Sequence, residues 1–208
     1  MTRIRLRPEL LMSLFCSGLI LLLAACGGGG GGLFADGGIG GSGVVSAGSV
    51  TSLGSIEVNG VHFRVTGANF SREDKIAVEL TSESQTQIRV GMVVDIEGEL
   101  DASETEGQAL TIHYQDILEG PVTTAETLGG TVKVLTILNQ QVIVVEDFTA
   151  LNGVSFTDLS SFTGMLEVSG FTLEDGRIQA TYLENRGTGR LEVKGMITSV
   201  ESPTSFHI

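Results

Sequence analysis

Short runs rich in Val, Ile and Thr fill the chain beyond Gly43, separated by Gly, Asn, Asp and Ser. Apolar residues in this region do not recur at helical spacing over any useful length. Runs of this kind, bounded by turn-forming residues, are typical of β-strands. The sequence therefore predicts an all-β fold.

The clearest element is a hairpin over residues 55–65, SIEVNGVHFRV. Asn59-Gly60 predicts a type I′ turn, because both central residues of that turn take positive φ. A two-residue turn fixes which residues lie opposite one another. The predicted pairs are Ile56 with Phe63, Glu57 with His62, and Val58 with Val61. Further strands are predicted over residues 92–100, 110–115, 131–137, 141–145, 165–168, 177–183 and 191–200.

The chain also contains an internal repeat. VGMVVDIEGEL with GQALTIHYQD, within residues 90–116, reappears as TGMLEVSGFTL with GRIQATYLEN at 163–185. VNGVHFRV at 58–65 similarly matches LNQQVIVV at 138–145. The triplets GVV at 43, GPV at 120 and GMI at 195 mark three starts about 75 residues apart. We expect two complete copies of about five strands each and the opening of a third.

The third opening has two interpretations. FHI at 206–208 falls where the first copy has IEV, a hairpin strand whose partner would then be missing. Folded proteins normally avoid such an open sheet edge. Either the sequence is a piece of a longer protein, or the third opening folds back and caps the second barrel.

The N-terminal segment has the layout of a secretory signal peptide, with three arginines before an apolar stretch at residues 10–25. That stretch has 16 residues, whereas a membrane-spanning helix needs about 20. Its end, Leu23-Ala24-Ala25-Cys26, resembles the bacterial lipobox, in which the cysteine is lipidated and the signal peptidase cuts before it. Gly27 stands where an inner-membrane retention signal has Asp, so the resemblance implies lipid anchoring in the outer membrane, on its periplasmic or surface face.

Residues 27–43 contain 11 glycines among 17 residues, a composition typical of a flexible tether. Gly38, Gly40 and Gly43 match the dinucleotide-binding pattern GxGxxG, but without a strand before it and a helix after it the match is a chance one. Cys16 lies within the signal peptide, so Cys26 would be the sole thiol of the mature chain. A disulfide or a cysteine-ligated metal is then excluded.

The chain is strongly acidic. Removal of residues 1–25 takes away three arginines and one glutamate and changes the formal charge from −13 to −15. A carboxylate excess of this size repels phosphate backbones, which argues against nucleic acid as a partner.

These blocks together resemble an uncharacterised family of bacterial envelope lipoproteins, the domain of unknown function five-six-six-six. The family pattern has a G-x-V opening, an NG-V-x-F hairpin and a V-G-x-x-V-x-V-x-G strand. The matching segments here are Gly43-Val44-Val45, residues 59–63 and residues 90–98, while in the second copy Asn139-Gln140 replaces the Asn-Gly turn. The resemblance implies a five-stranded, OB-like small barrel for each copy and brings no reaction and no catalytic residues.

We therefore expect tandem OB-like β-barrels behind a lipid-anchored tether. The predicted segments are a signal peptide at 1–25, Cys26 with the tether at 26–42, barrels at 43–118 and 119–188, and the third opening at 189–208.

One acidic strand is a weak candidate for a metal site. Its carboxylates recur at every second residue and would share one face of a strand, and Ca²⁺ prefers such oxygen ligands. They are Asp95, Glu97, Glu99 and Asp101. We favour a solvated outer face, because the second copy keeps only Glu167 on the matching strand and Ca²⁺ sites usually gather about six to eight oxygens.

Other chemistry-bearing residues give no catalytic set. The histidines His62, His113 and His207 lie in no zinc or nucleophile motif, and His62 is expected to form a cross-strand pair with Glu57. Tyr114 and Tyr182 are expected at equivalent places in the two copies, packed on the strands with a solvated hydroxyl.

The sequence therefore favours an exported, lipid-anchored envelope lipoprotein that works as a non-enzymatic binding or assembly module without a cofactor. Its expected contacts are the membrane, through lipid on Cys26, and another envelope protein. Ca²⁺-dependent adhesion or polysaccharide binding is the first alternative, and a hydrolase is a distant one.

Overall fold

The computed structural model describes residues 44–72, 76–81 and 84–207. The predicted signal peptide, Cys26 and the tether lie outside these ranges. The described residues form sixteen strands and two short 3₁₀ turns, Ser84–Gln87 and Asp158–Ser161, so the all-β prediction is confirmed. In the same residues, no helix is long and apolar enough to cross a membrane.

The first copy forms a closed five-stranded barrel. Its strands are β1 (Val44–Ser52), β2 (Ile56–Val58), β3 (Val61–Arg64), β6 (Val93–Leu100) and β7 (Glu106–Gln115). They are ordered β3-β2-β1-β6-β7, and a parallel pairing of β3 with β7 closes the ring. Two short strands extend this sheet: β4 (Asn69–Arg72) lies beside β7, and β5 (Val78–Glu79) lies beside β4. A small ring of five strands is the expected OB-like architecture.

The second copy repeats this ring. Its strands are β8 (Leu118–Leu128), β9 (Val132–Ile137), β10 (Gln140–Val145), β12 (Met165–Thr172) and β13 (Ile178–Asn185), closed by a parallel pairing of β10 with β13. β11 (Ala150–Asn152) lies beside β13 as β4 lies beside β7. β14 (Glu192–Val193) pairs with β8, and β15 (Ser199–Ser202) and β16 (Ser205–His207) form a separate hairpin.

The predicted hairpin at Asn59-Gly60 is confirmed. The two turn residues have φ of 53° and 80°, and all three cross-strand pairs have the predicted register. Ile56, Val58 and Phe63 are thereby buried in the first core. Each such side chain contributes about 1.5–3 kcal/mol by leaving water.

Strand alternation builds one core in each barrel. On β6, Val94 and Ile96 are fully buried, while Asp95 and Glu97, which alternate with them, face outward. On β12, Leu166 and Val168 are buried in the second core in the same way. The alternation predicted for the acidic strand is therefore present.

The second hairpin turns one residue earlier than predicted. Leu138 and Asn139 are the residues with positive φ, 47° and 64°, and Ile137 pairs with Gln140. The predicted Asn139-Gln140 turn is therefore wrong. Register follows burial: Ile137 and Val142 are fully buried, and a one-residue slip would turn them outward.

The predicted opening of the first copy is also wrong. Val50 pairs with Val58 just as Val122 pairs with Ile137. A Cβ on Gly48 would collide with the first turn residue, Asn59, and a Cβ on Gly120 would collide with Leu138. Gly48-Ser49-Val50, rather than Gly43-Val44-Val45, therefore corresponds to Gly120-Pro121-Val122.

A β-bulge gives a third point of correspondence. Gly98 and Gly170 both lie at a register shift, and a Cβ on either would collide with a backbone carbonyl, of Gln108 or of Gln179. Asp95 pairs with His113 where Glu167 pairs with Glu184, so these two pairs are equivalent. Tyr182 then corresponds to Thr111, and Tyr114 to Asn185. The predicted equivalence of the tyrosines is wrong, because Tyr182 corresponds to a position three residues before Tyr114.

The third opening folds back onto the second barrel. The predicted strand at 191–200 is divided: β14 pairs with β8, and β15 belongs to the separate hairpin. In the first barrel, the matching edge of β1 is covered by the Asn59 side-chain amide, which donates to the Ala47 carbonyl at 2.7 Å. Leu138, at the corresponding turn position, has no side-chain amide, and β14 pairs with the edge of β8 there instead.

Candidate functional site

The most elaborate polar site lies where the first barrel packs on the outer face of β12 and β13. Val168 and Leu183 face the second core, so their neighbours Ser169 and Tyr182 face outward. Tyr182 is 1% exposed and packs into the core of the first barrel. We call this contact region the joint. Its residues are Arg72, Gly91, Val93, Tyr114 and Gln115 of the first barrel and Glu167, Ser169, Thr181, Tyr182, Glu184 and Arg186 of the second.

Three hydrogen bonds tie backbone of the first barrel to hydroxyl groups of the second. The Ser169 hydroxyl accepts from the Val93 amide at 2.9 Å and donates to the Gln115 carbonyl at 3.0 Å. The Thr181 hydroxyl donates to the Gly91 carbonyl at 2.6 Å. Gly91 has φ of 89°, and a Cβ there would collide with the Thr181 carbonyl. Glycine therefore permits both the turn and the close approach.

A buried ion cluster lies beside these hydrogen bonds. Arg72 Nη2, on β4, is 2.7 Å from Glu167 Oε1 and 2.9 Å from Glu184 Oε2. Arg186 Nε is 3.4 Å from Glu167 Oε2. The Tyr114 hydroxyl donates to Glu167 Oε1 at 2.8 Å, and the Arg72 guanidinium lies 4.8 Å from the Tyr114 ring centroid. Because the side chain of Glu167 is only 6% exposed, these contacts replace the water that it loses.

Burial and charge shift the pKa values in the joint. Burial acts to raise the pKa of Glu184, but the hydrogen bond and charge of Arg72, with the charge of Arg186, lower it below its ordinary value. Burial, followed by the charge of Glu167, raises the pKa of Tyr114. Burial likewise raises the pKa of Tyr182 to about 12, with the charge of Glu184 adding to it. Both tyrosine hydroxyls therefore stay protonated at neutral pH.

The joint continues into a row of glutamates. Residues paired side by side on β14, β8, β12 and β13 are Glu192, Glu119, Glu167 and Glu184. Burial is the largest influence on Glu119 and raises its pKa, and the charge of Glu167 acts in the same direction. Neighbouring like charges on a row are unfavourable unless cations separate them.

Cations do separate them at the β14 end of the row. Carboxylate oxygens of Asp116, Glu119 and Glu192 lie within 4.8 Å of one another, a spacing that could hold a metal ion. The Lys194 ammonium lies among them, 2.7 Å from Asp116 Oδ1 and 3.1 Å from Glu192 Oε1. The Arg190 backbone amide donates to Glu119 Oε1 at 3.2 Å. A positive charge of the chain itself thus occupies this position.

The predicted acidic strand lies elsewhere. Asp95 accepts a hydrogen bond from the Gln115 amide, and Glu97 accepts one from the Thr111 hydroxyl at 3.2 Å. Glu99 is exposed on β6. Asp101 lies beyond the strand, and its Oδ1 accepts a hydrogen bond from the Ser103 backbone amide at 2.9 Å. The structure therefore spreads these four carboxylates along a strand and a turn, and their partners in the described residues are neutral.

The histidines are also apart from the joint. His62 pairs across the hairpin with Glu57 as predicted, and His207 lies on β16. His113 Nδ1 is 2.9 Å from the Ser71 hydroxyl. The equivalent residues of the second barrel are Asn152 and Glu184, which hydrogen-bond at 3.1 Å. The Ser–His contact is thus one form of a polar pair between neighbouring strands that both barrels have.

Comparison with protein families gives one match. The family model described as a domain of unknown function, DUF5666, matches residues 42–112 and 119–184. The chain belongs to the DUF5666 family. A comparison with curated proteins and one with solved structures gave no match.

In this DUF5666 protein, no pattern in the sequence predicts the residues of the joint. The predicted solvated hydroxyl of Tyr114 is wrong, because the residue is 1% exposed and its hydroxyl binds Glu167. Arg72 and Glu167 are 95 residues apart, so no local pattern links them. The one available signal is Glu167 itself, a carboxylate between the apolar residues Leu166 and Val168.

Proposed function

We propose that this DUF5666 protein is an exported cell-envelope lipoprotein, anchored by lipid on Cys26, that acts as a non-enzymatic binding or assembly module. The observation that supports a binding role is the joint. Hydrogen bonds, a buried ion cluster and a shared apolar core hold the barrels in one arrangement, which suits a platform that presents two surfaces to a partner.

The chemistry of the joint agrees with this proposal. Its carboxylates face arginine, lysine or tyrosine donors at hydrogen-bond or ion-pair distance, so their charge is used in holding the fold together. Partial loss of such a buried network is costly, which favours a fixed arrangement over a hinge.

The lipid anchor rests on the sequence. The lipobox-like residues Leu23-Ala24-Ala25-Cys26 follow the basic and apolar regions of the predicted signal peptide, and the glycine-rich segment comes directly after them. The composition of this glycine-rich segment predicts a tether between the anchor and the barrels.

Two measurements test the proposal. Fatty-acid labelling and detergent partitioning of the native protein should both be lost on Cys26→Ser; a mutant that still labels and partitions refutes lipidation at this cysteine. Chemical crosslinking in the native cells should repeatedly retrieve the same envelope protein. Retrieval of nothing specific would count against the binding module.

A further inference from the structure

The two barrels differ at one sheet edge. In the first barrel, β5 covers β4 as an antiparallel strand, with Asn69 paired to Glu79 and Phe70 to Val78. β11 is the equivalent of β4, because Ala150 pairs with Tyr182 where Asn69 pairs with Thr111. β11 is the last strand of its sheet, and in the described ranges no strand covers its outer edge.

A groove of about 330 Å³ lies at β11. Its apolar lining includes Leu53 and Val90, which are 56% and 40% exposed, together with Leu151 of β11. Large apolar side chains left open beside an unpaired strand edge are a common feature of binding sites for extended peptides.

The groove also carries one cation, Arg89. Its side chain is exposed, and in the described part of the chain no carboxylate pairs with it. In a chain with a formal charge of −13, an arginine without an acidic partner is unusual. It complements a carboxylate on whatever occupies the groove.

We propose that this groove binds one extended segment of a partner envelope protein, which adds to β11 as an antiparallel strand. Backbone hydrogen bonds to β11 supply the affinity, an apolar side chain packs against Leu53 and Val90, and a neighbouring carboxylate faces Arg89. Within the molecule, β5 already adds to β4 in this way, and it consists of an apolar residue followed by an acidic one, Val78-Glu79. The inference rests on the proposed binding function and names its surface.

The probe is a labelled synthetic peptide with the sequence of residues 76–81, IAVELT, titrated into the full chain in detergent. Saturable binding is expected by fluorescence anisotropy. Arg89→Glu should weaken it by about threefold to tenfold, the range expected when an exposed ion pair is reversed. Arg64→Glu is the matched control, since Arg64 is also exposed but lies on β3, and should leave binding unchanged.

Backbone methylation separates strand addition from general stickiness. Only alternate amides of an added strand face the edge that it joins. N-methylation at one set of alternate peptide residues should abolish binding, and methylation at the other set should leave it intact. Equal effects of both sets would overturn the inference.

Failure here differs from failure of the proposed function. If the peptide does not bind while crosslinking in cells still retrieves a specific partner, the groove assignment is wrong and the binding module stands. Concentration-dependent dimers of the unmodified chain that Arg89→Glu dissolves would assign the groove to a second copy and would also overturn the inference.

Discussion

Arg72→Met is the sharpest test of the joint. The substitution keeps an apolar stem against Tyr114 and removes the guanidinium between Glu167 and Glu184. Removing one partner of a buried ion pair costs about 3–5 kcal/mol, because the other charge is left without compensation. Arg186 remains 3.4 Å from Glu167 and offsets part of this. We therefore expect a loss of about 2–3 kcal/mol in the free energy of unfolding.

The chain provides its own local probe for this measurement. It has no tryptophan and two tyrosines, Tyr114 and Tyr182, and both are buried in the joint. Tyrosine fluorescence therefore reports on the joint, whereas far-ultraviolet circular dichroism reports on all the strands. In the wild-type protein the two signals should change together in urea.

In Arg72→Met the tyrosine midpoint should fall by roughly 1–1.5 M urea, for a slope of about 2 kcal/mol per molar. It should also precede the loss of circular dichroism. Arg177→Met is the matched control: Arg177 pairs with Asp175 on the surface, and an exposed pair contributes about 1 kcal/mol or less. If the two variants lose the same small amount, the joint is not an energetic link and the reasoning fails.

Three further predictions follow from the same contacts. The pKa of Glu184 is lowered in the folded protein, so the ionised carboxylate stabilises the fold above its ordinary pKa of 4.5, and this stabilisation is lost as the pH falls through the lower folded value. The urea midpoint of tyrosine fluorescence should therefore drop in that pH range, and Glu184→Gln should flatten that part of the curve of midpoint against pH. An unchanged curve in the variant would contradict the ion cluster. Burial raises the pKa of Glu119, so the charge on its carboxylate destabilises the fold at neutral pH. Glu119→Gln keeps an acceptor for the Arg190 backbone amide and should unfold at an equal or higher urea concentration than the wild-type protein. A decrease of more than about 1 kcal/mol in the free energy of unfolding would refute this. Gly170→Ala should cost about 1–3 kcal/mol in urea unfolding, and Gly98→Ala a similar amount, because each Cβ meets a backbone carbonyl at the bulge; tolerance of both would show that the copies do not share it.

Local patterns in the sequence were enough for the fold class and for one register. Asn59-Gly60 determines a turn that few other dipeptides adopt, and every pair across β2 and β3 follows from it. Alternation along β6 likewise identifies which side chains face the core. Both inferences depend on residues close together in the chain.

The alignment of the copies could not be predicted in the same way. Leu138 takes a left-handed turn conformation that its side chain does not favour, because burial of Ile137 and Val142 fixes the register. Both copies share the β-bulge, but Gly98 lies seven residues after Gly91 whereas Gly170 lies six residues after Gly164, so an alignment without gaps is one residue out along this strand. Each error moved a predicted equivalence by one residue or more.

The contacts in the joint could not be predicted from the sequence for a different reason. Its partners come from β4, β7, β12 and β13, and only packing of the two barrels brings them together. Tyr182 faces away from its own barrel and belongs to the core of the other one, which alternation alone would assign to solvent.

The measurement that tests the central claim most directly is site-specific photocrosslinking in the native cells. A photoreactive residue would replace, one at a time, exposed or half-buried side chains spread over both barrels: Leu53, Leu110, Leu128, Leu151 and Phe171. The lipid-anchored chain is predicted to give a discrete adduct with one envelope protein from neighbouring positions, and Cys26→Ser is predicted to lose it. If no position gives a discrete adduct, the account of this protein as an envelope binding module is contradicted.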